Sequence, residues 1–182
     1  MATSMKQLCE APAGQAEILQ GNIAFAAGCV RGGIHAADGY PGTPSSEVID
    51  RGLSQVQDMI KVGWSVNEAV ASAVGHGHTI AGRDCVVTMK IPGLFQAGDI
   101  FTSGALFVQE RGALIYYIAS DFTPSSTQHT IDPRYLFKSC FIHWEIGKET
   151  KPESNSRFPS PNLPIPQTNR FHSSSVRILR RA

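Results

Sequence analysis

Two short runs constrain the fold of this chain more than any other feature. Cys85-Val86-Val87-Thr88-Met89 is compact and β-branched, and Ala113 to Ala119 carries Ile115, Tyr116, Tyr117 and Ile118. Both read as buried strands. Between and before them lie segments of helical period. Ile23, Ala26, Ala27 and Val30 fall on one face of a helix that stops at Gly32-Gly33. Asn67 to about Ala81 reads as a helix of small residues. Ile34 to Ala37 and Ile60 to Val62 are short strand candidates. A helix is expected from Pro44, with Thr43 as its N-cap, to about Gln55. Leu94 to Val108 reads as helical but is weakened by Gly98 and Gly104. Strands alternating with helices imply an α/β fold, a parallel sheet flanked by helices on both faces. Ligands of such sheets sit in loops at the carboxyl ends of the strands, here after residues 37, 89 and 119.

At 182 residues, with 42% hydrophobic and 17% charged side chains, the chain has material for one domain with a real core. The net charge of +1 conceals an uneven distribution: −4 over residues 1–150 and +5 over residues 151–182. The acidic body excludes a nucleic-acid footprint. No apolar run reaches a membrane span of about 18 residues. Cys9, Cys29, Cys85 and Cys140 form no C-x-x-C pair, so neither a zinc nor an iron–sulfur site is expected from this chain. Cys29 and Cys85 read as reduced, buried thiols of a cytoplasmic protein. His76 and His78, in Gly-His-Gly-His, stand two apart on a helix and do not face one way, so a structural or surface role is favoured over a metal. Residues 1–19 read as a weakly structured leader and 20–142 as the folded domain. The remainder, 143–182, reads as a divergent, disordered, basic Pro/Ser-rich tail, because all 17 glycines precede residue 148.

The chemistry lies in Gly39-Tyr40-Pro41-Gly42-Thr43-Pro44-Ser45-Ser46-Glu47, followed by Glu68 in Trp64-Ser65-Val66-Asn67-Glu68. The first is a sharp loop feeding a helix; the second sets a carboxylate at the start of the next helix. In that order they resemble the α subunit of indolepyruvate:ferredoxin oxidoreductase and the wider thiamine-diphosphate-dependent 2-oxoacid:ferredoxin oxidoreductases. Gly21, Asn22 and Ala24 also match that pattern, with Ile23 where the family has an acid. Thr88-Met89-Lys90 matches too, although Ile91-Pro92 replaces a usual His-Val. Asp121, Ser126, Gln128, Asp132 and Arg134 match a third block, in which Asp132 and Arg134 are expected at a subunit seam.

The resemblance covers residues 20–142 and implies the domain that holds the cofactor's aminopyrimidine ring. It implies Glu68 as the carboxyl group on the pyrimidine N1′; Trp64, Val66, Val70 and the alanines nearby are placed in the sequence to desolvate it. Tyr40, Pro41 and Thr43 would contact the cofactor, and Thr43 and Lys90 the 2-oxoacid; no metal ligand is assigned. Such enzymes bind the diphosphate and Mg²⁺ through a second domain, usually opening on Gly-Asp-Gly, which this sequence lacks. The expected assembly is therefore an oligomer with a diphosphate-binding domain or subunit as partner. Iron–sulfur clusters elsewhere in it would pass electrons to ferredoxin. The lone chain is half of a site and a candidate fragment. A non-oxidative 2-oxoacid decarboxylase subunit and a catalytically silent assembly module are the alternatives.

Overall fold

The computed structural model describes residues 3–104, 112–119, 133 and 136, together with the backbone of a strand at 175–179. The elements run α1 (Met5–Glu10), α2 (Gly21–Arg31), β1 (Ala36–Gly39), a π-turn (Val48–Gly52) passing into a 3₁₀ turn (Leu53–Val56), β2 (Lys61–Val62), α3 (Glu68–Ile80), β3 (Cys85–Lys90), α4 (Ile91–Gln96), α5 (Gly98–Gly104), β4 (Leu114–Ala119) and β5 (Ser175–Leu179). The strands are ordered β2-β1-β3-β4-β5. The first four are mutually parallel, with Gly39 opposite Thr88 and Lys90 opposite Ala119.

Alternation along the strands divides the core in two. Cys85, Val87 and Met89 of β3 and Leu114, Tyr116 and Ile118 of β4 pack with Ala71, Leu94 and Phe101 from α3, α4 and α5. On the other face, Val86, Ala37 and Tyr117 pack with Ala26, Ala27, Val48 and Leu53. Both faces of the four parallel strands are covered, as parallel pairing requires. The expected fold class is thereby borne out. Burial pushes the Cys29 and Cys85 thiols up to about 12, leaving both as inert core groups. Cys140 lies outside the described residues.

The helix ends follow their local chemistry. Asn67 caps α3, its Oδ1 accepting from Val70 N at 2.8 Å. Gly82, at φ +80°, turns the chain out of the helix, and Gly33, at φ +78°, does the same after α2. Gly98 divides the expected helix over 94–108 into α4 and α5, and its last residues lie outside the described ones. α3 also explains its small residues. A Cβ on Gly75 would stand 2.5 Å from Val87 Cγ2 and 2.9 Å from Leu114 Cδ1, so the helix lies on the sheet at a distance only glycine permits.

Three expectations are corrected. Within residues 1–19, Met5–Glu10 is helical rather than weakly structured, because Ser4 and Gln7 form a reciprocal capping box. Met5 and Leu8 are buried, and the Arg31 guanidinium donates to Leu8 O at 3.2 Å and Ala11 O at 2.7 Å. Within the tail, Ser175–Leu179 pairs antiparallel with β4, Leu114 opposite Leu179. The open edge of β4 offers unpaired backbone groups, and Val176 and Ile178 suit a strand. Pro44 does not begin a helix behind Thr43. Residues 43–45 form a turn whose Thr43–Pro44 peptide is cis, and helical winding starts at Ser46.

Gly75→Ala is expected to destabilise the fold by about 1–3 kcal/mol through overpacking against Val87 and Leu114. Urea unfolding of the two proteins reads this directly, whereas Gly77→Ala, with open space at its Cβ, is expected to be neutral or mildly stabilising.

Candidate functional site

Four backbone segments meet at the carboxyl edge of the sheet, held together where glycines leave out a side chain. β1 ends on Gly39, whose missing Cβ would lie against Thr88 Oγ1, 2.7 Å from Thr88 O and 3.1 Å from Trp64 Cζ3. The aliphatic stem of Lys90 lies across Gly42, with Cγ and Cδ each 2.8 Å from where a Cβ would be. At Gly93 in α4 the neighbour is the Glu68 side chain, with Cγ at 2.5 Å and Cδ at 2.6 Å from the missing Cβ. The Gly39–Thr43 loop, the Thr88-Met89-Lys90 stretch and Glu68 are thus adjoining parts of one edge. Thr88 and Gly93 belong to this edge as well.

Glu68 is the first residue of α3, only 6% exposed, and its Oε2 is buried without a hydrogen-bond partner. A helix N-terminus favours negative charge. Yet a buried carboxylate oxygen with no donor is costly unless something else occupies the space beside it. Thr88 Oγ1, on the adjoining strand end, is likewise buried and unpartnered. These two atoms are where the chain's polar capacity is left open at this edge. The bare backbone of Gly93 packs on the Glu68 side chain. Val66 stands 78% exposed and Val70 40%, and Trp64 turns its ring partly toward Gly39 while remaining 38% exposed. With Tyr40, these residues make an apolar rim open to solvent.

Tyr40, Pro41 and Thr43 are all exposed on the loop. The Thr43 hydroxyl closes none of the loop's hydrogen bonds. Instead Gly42 N donates to Ser46 Oγ at 2.7 Å, while Gly42 O accepts from Ser45 Oγ at 2.7 Å and from Ser46 N at 3.1 Å. The third block, Asp121 to Arg134, lies outside the described residues.

Asp38, which sequence reading passed over, is a second buried acid at the end of β1. Its Oδ1 accepts from Ser65 Oγ at 2.6 Å. Ser65 N donates to Gly39 O and Gly63 N to Ala37 O, so residues 63–65 are tied to β1 just before Asn67 and Glu68. Burial pushes the Asp38 carboxyl above its ordinary value, opposed by the hydrogen bonds from Ser65 and Gly39. An acid closing a buried strand just before glycine was its only signal in the sequence. His76 is structural, as expected: burial lowers its pKa, Nε2 lies 3.3 Å from the Tyr116 hydroxyl, and the ring backs onto Gly104. Among the described residues no group of three or more His, Cys, Asp or Glu side chains could hold a metal ion, and no helix is long and apolar enough to cross a membrane.

The fold is a parallel α/β domain of a kind also found in a 2-oxoacid:ferredoxin oxidoreductase. A 2-oxoglutarate:ferredoxin oxidoreductase from Magnetococcus marinus shares the fold at a TM-score of 0.51 and 20% identity, over 65% of this chain and 21% of that one. Sequence comparison is more specific. The indolepyruvate oxidoreductase subunit IorA of Archaeoglobus fulgidus is 36% identical over 132 residues, 69% of this chain and 21% of the relative. The IorA subunits of Pyrococcus horikoshii and Methanothermobacter marburgensis are 32% and 31% identical, over 19% and 22% of their own lengths. No family model matches. The resemblance read from the sequence is thus borne out over that segment, which is homologous to indolepyruvate oxidoreductase subunit IorA. The chain spans about a fifth of the length of these relatives.

Because the folded Asp38 carboxyl has a raised pKa, its neutral form is favoured by folding. The linked stability is present below the ordinary carboxylate pKa and is lost as pH rises through the folded value. Asp38→Asn, which keeps an acceptor for Ser65, is expected to flatten that dependence and to gain on the native chain from acid toward neutral pH. Urea midpoints across that range check it, and parallel curves for the two proteins would remove the assignment.

Proposed function

We propose that this chain is the pyrimidine-binding portion of a thiamine-diphosphate-dependent 2-oxoacid:ferredoxin oxidoreductase acting on an indolepyruvate-like substrate. The observation that carries the reading is Glu68: a buried carboxylate at a helix start, seated on the Gly93 backbone, with one oxygen lacking any donor. That oxygen suits a ring nitrogen that shares a proton, and the glycine gives the carboxyl group the room to sit at this depth. The fit to the cofactor's aminopyrimidine is therefore good. When bound, thiamine diphosphate supplies a carbon nucleophile for the 2-oxoacid carbonyl and a sink for the electrons left by decarboxylation.

Each residue at the edge then has a physical task. Glu68 Oε2 holds a proton shared with N1′, in a setting dry enough for that hydrogen bond to be strong. Tyr40 and Pro41 wall the ring. Thr43, its hydroxyl unused by the loop, offers a donor to the 2-oxoacid, and Lys90 brings a cation to the same edge for the substrate carboxylate. The apolar rim of Trp64, Val66 and Val70 excludes water once a second surface covers it. That surface is the proposed diphosphate-binding domain or subunit, which supplies Mg²⁺ and the diphosphate contacts and makes the assembly an oligomer. Iron–sulfur centres elsewhere would take two electrons to ferredoxin, leaving the acyl group on coenzyme A, in a cytoplasmic complex.

The test is made on the assembled complex, with bound thiamine diphosphate and iron measured after co-purification. Glu68→Gln is expected to slow C2 proton exchange of the cofactor by about 10²–10⁴-fold, the span of a general acid–base contribution. Unchanged exchange in a folded variant would overturn the role of Glu68. Thiamine diphosphate without iron would favour the non-oxidative decarboxylase, and neither cofactor would favour a silent module.

A further inference from the structure

Behind the Gly39–Thr43 loop lies a buried polar relay that the reading above leaves unused. Tyr117, at the centre of β4, is wholly buried, and its ring stacks on Phe25 with centroids 4.4 Å apart. Its hydroxyl donates to Asn22 Oδ1. Asn22, in the first turn of α2, is 4% exposed. Its Nδ2 donates both to Pro44 O at 3.1 Å and to Glu47 Oε2 at 2.8 Å. Gln20 Nε2 donates to the same Glu47 oxygen, and Arg51 Nη1 reaches Glu47 Oε1 at 3.3 Å.

The chemistry of this relay demands an amide at position 22. An acceptor must face the tyrosine hydroxyl while two donors face a carbonyl and a carboxylate, and among small side chains only asparagine provides both. Aspartate would set a second carboxylate against Glu47 and take the side-chain donor from Pro44 O, leaving only the longer bond from Glu47 N at 3.4 Å. Leucine would remove the Asn22 hydrogen bonds from the Tyr117 hydroxyl, Pro44 O and Glu47 Oε2, leaving Pro44 O with Glu47 N at 3.4 Å and Glu47 Oε2 with Gln20 Nε2. Pro44 O is the carbonyl immediately after Thr43. Holding it fixes where the Thr43 backbone and hydroxyl stand above the sheet edge.

We infer that Asn22, braced by Tyr117, is a positioning residue that locks the Thr43 loop to the sheet and thereby tunes 2-oxoacid binding without taking part in cofactor activation. The locking rests on the hydrogen bonds alone; the consequence for substrate rests on the proposed function. Asn22 touches neither Glu68 nor Gly93 in the contacts described, so the two halves of the edge are separable. Closure of the loop and activation of the cofactor are distinct tasks assigned to distinct faces of the sheet.

Two arms test it. In the full chain, hydrogen exchange is followed by mass spectrometry for Asn22→Ala and for Tyr117→Phe, the latter keeping the ring stack on Phe25. Amides of Ser46, Glu47 and Val48 are expected to exchange about tenfold faster, while those of α3 keep their protection. Unchanged exchange in the loop, or equal loss of protection in α3, would overturn the inference. In the assembled complex, the same variants are expected to raise the 2-oxoacid KM by about tenfold with C2 proton exchange preserved, the mark of lost substrate binding alone. A loosened loop with unchanged KM would defeat the positioning role. A loosened loop and altered KM, alongside an unaffected Glu68→Gln, would support the positioning role and count against the role given to Glu68.

Discussion

The edge of this sheet depends on one contact, a glutamate side chain laid on the bare backbone of a glycine. Any side chain at residue 93 would occupy the space of the Glu68 carboxylate. With none there, the carboxylate sinks below solvent at the start of α3, and one oxygen is left without a donor. Burying a charged group is expensive, and a chain tolerates it where the strain serves a task. The same device recurs at Gly39 and Gly42, where a strand end and a lysine stem take the room a Cβ would fill. Close approach to bare glycine backbone assembles this edge.

Much of the architecture was legible in the sequence because it rests on local signals. β3 and β4 declare themselves by β-branched and aromatic content, and α3 by its asparagine cap and its run of small residues. Gly32-Gly33 marks the end of α2 because glycine accepts the backbone angle found at residue 33. α1 was missed because it is short and buries only Met5 and Leu8, although Ser4 and Gln7 spell a capping box. β5 was missed because a strand in a polar, proline-rich segment becomes visible only beside the edge that receives it.

The site was legible in its members but not in its contacts. Glu68, Lys90 and the loop were singled out by their resemblance to the family's motifs, and the structure brings them to one edge. That Gly93 would lie against Glu68 follows from tertiary packing, which no local pattern encodes. Thr43 looked like a cap because threonine before proline commonly is one. Gly42 and the Ser45 and Ser46 hydroxyls took that work instead, leaving Thr43 facing outward. Asp38 escaped notice because a single acid at a strand end has no periodic signature.

Gly75 gives α3 a mechanical meaning as well as a packing one. The helix is pinned to Val87 and Leu114 at that residue, two turns, or about 10 Å, from Glu68. A straight helix moves as a rod, so whatever lifts it at Gly75 tilts its far end. The depth of the carboxylate is therefore gauged from the middle of the core rather than from the rim. Substitutions deep under α3 would register first as a change in how far Glu68 sinks below the edge.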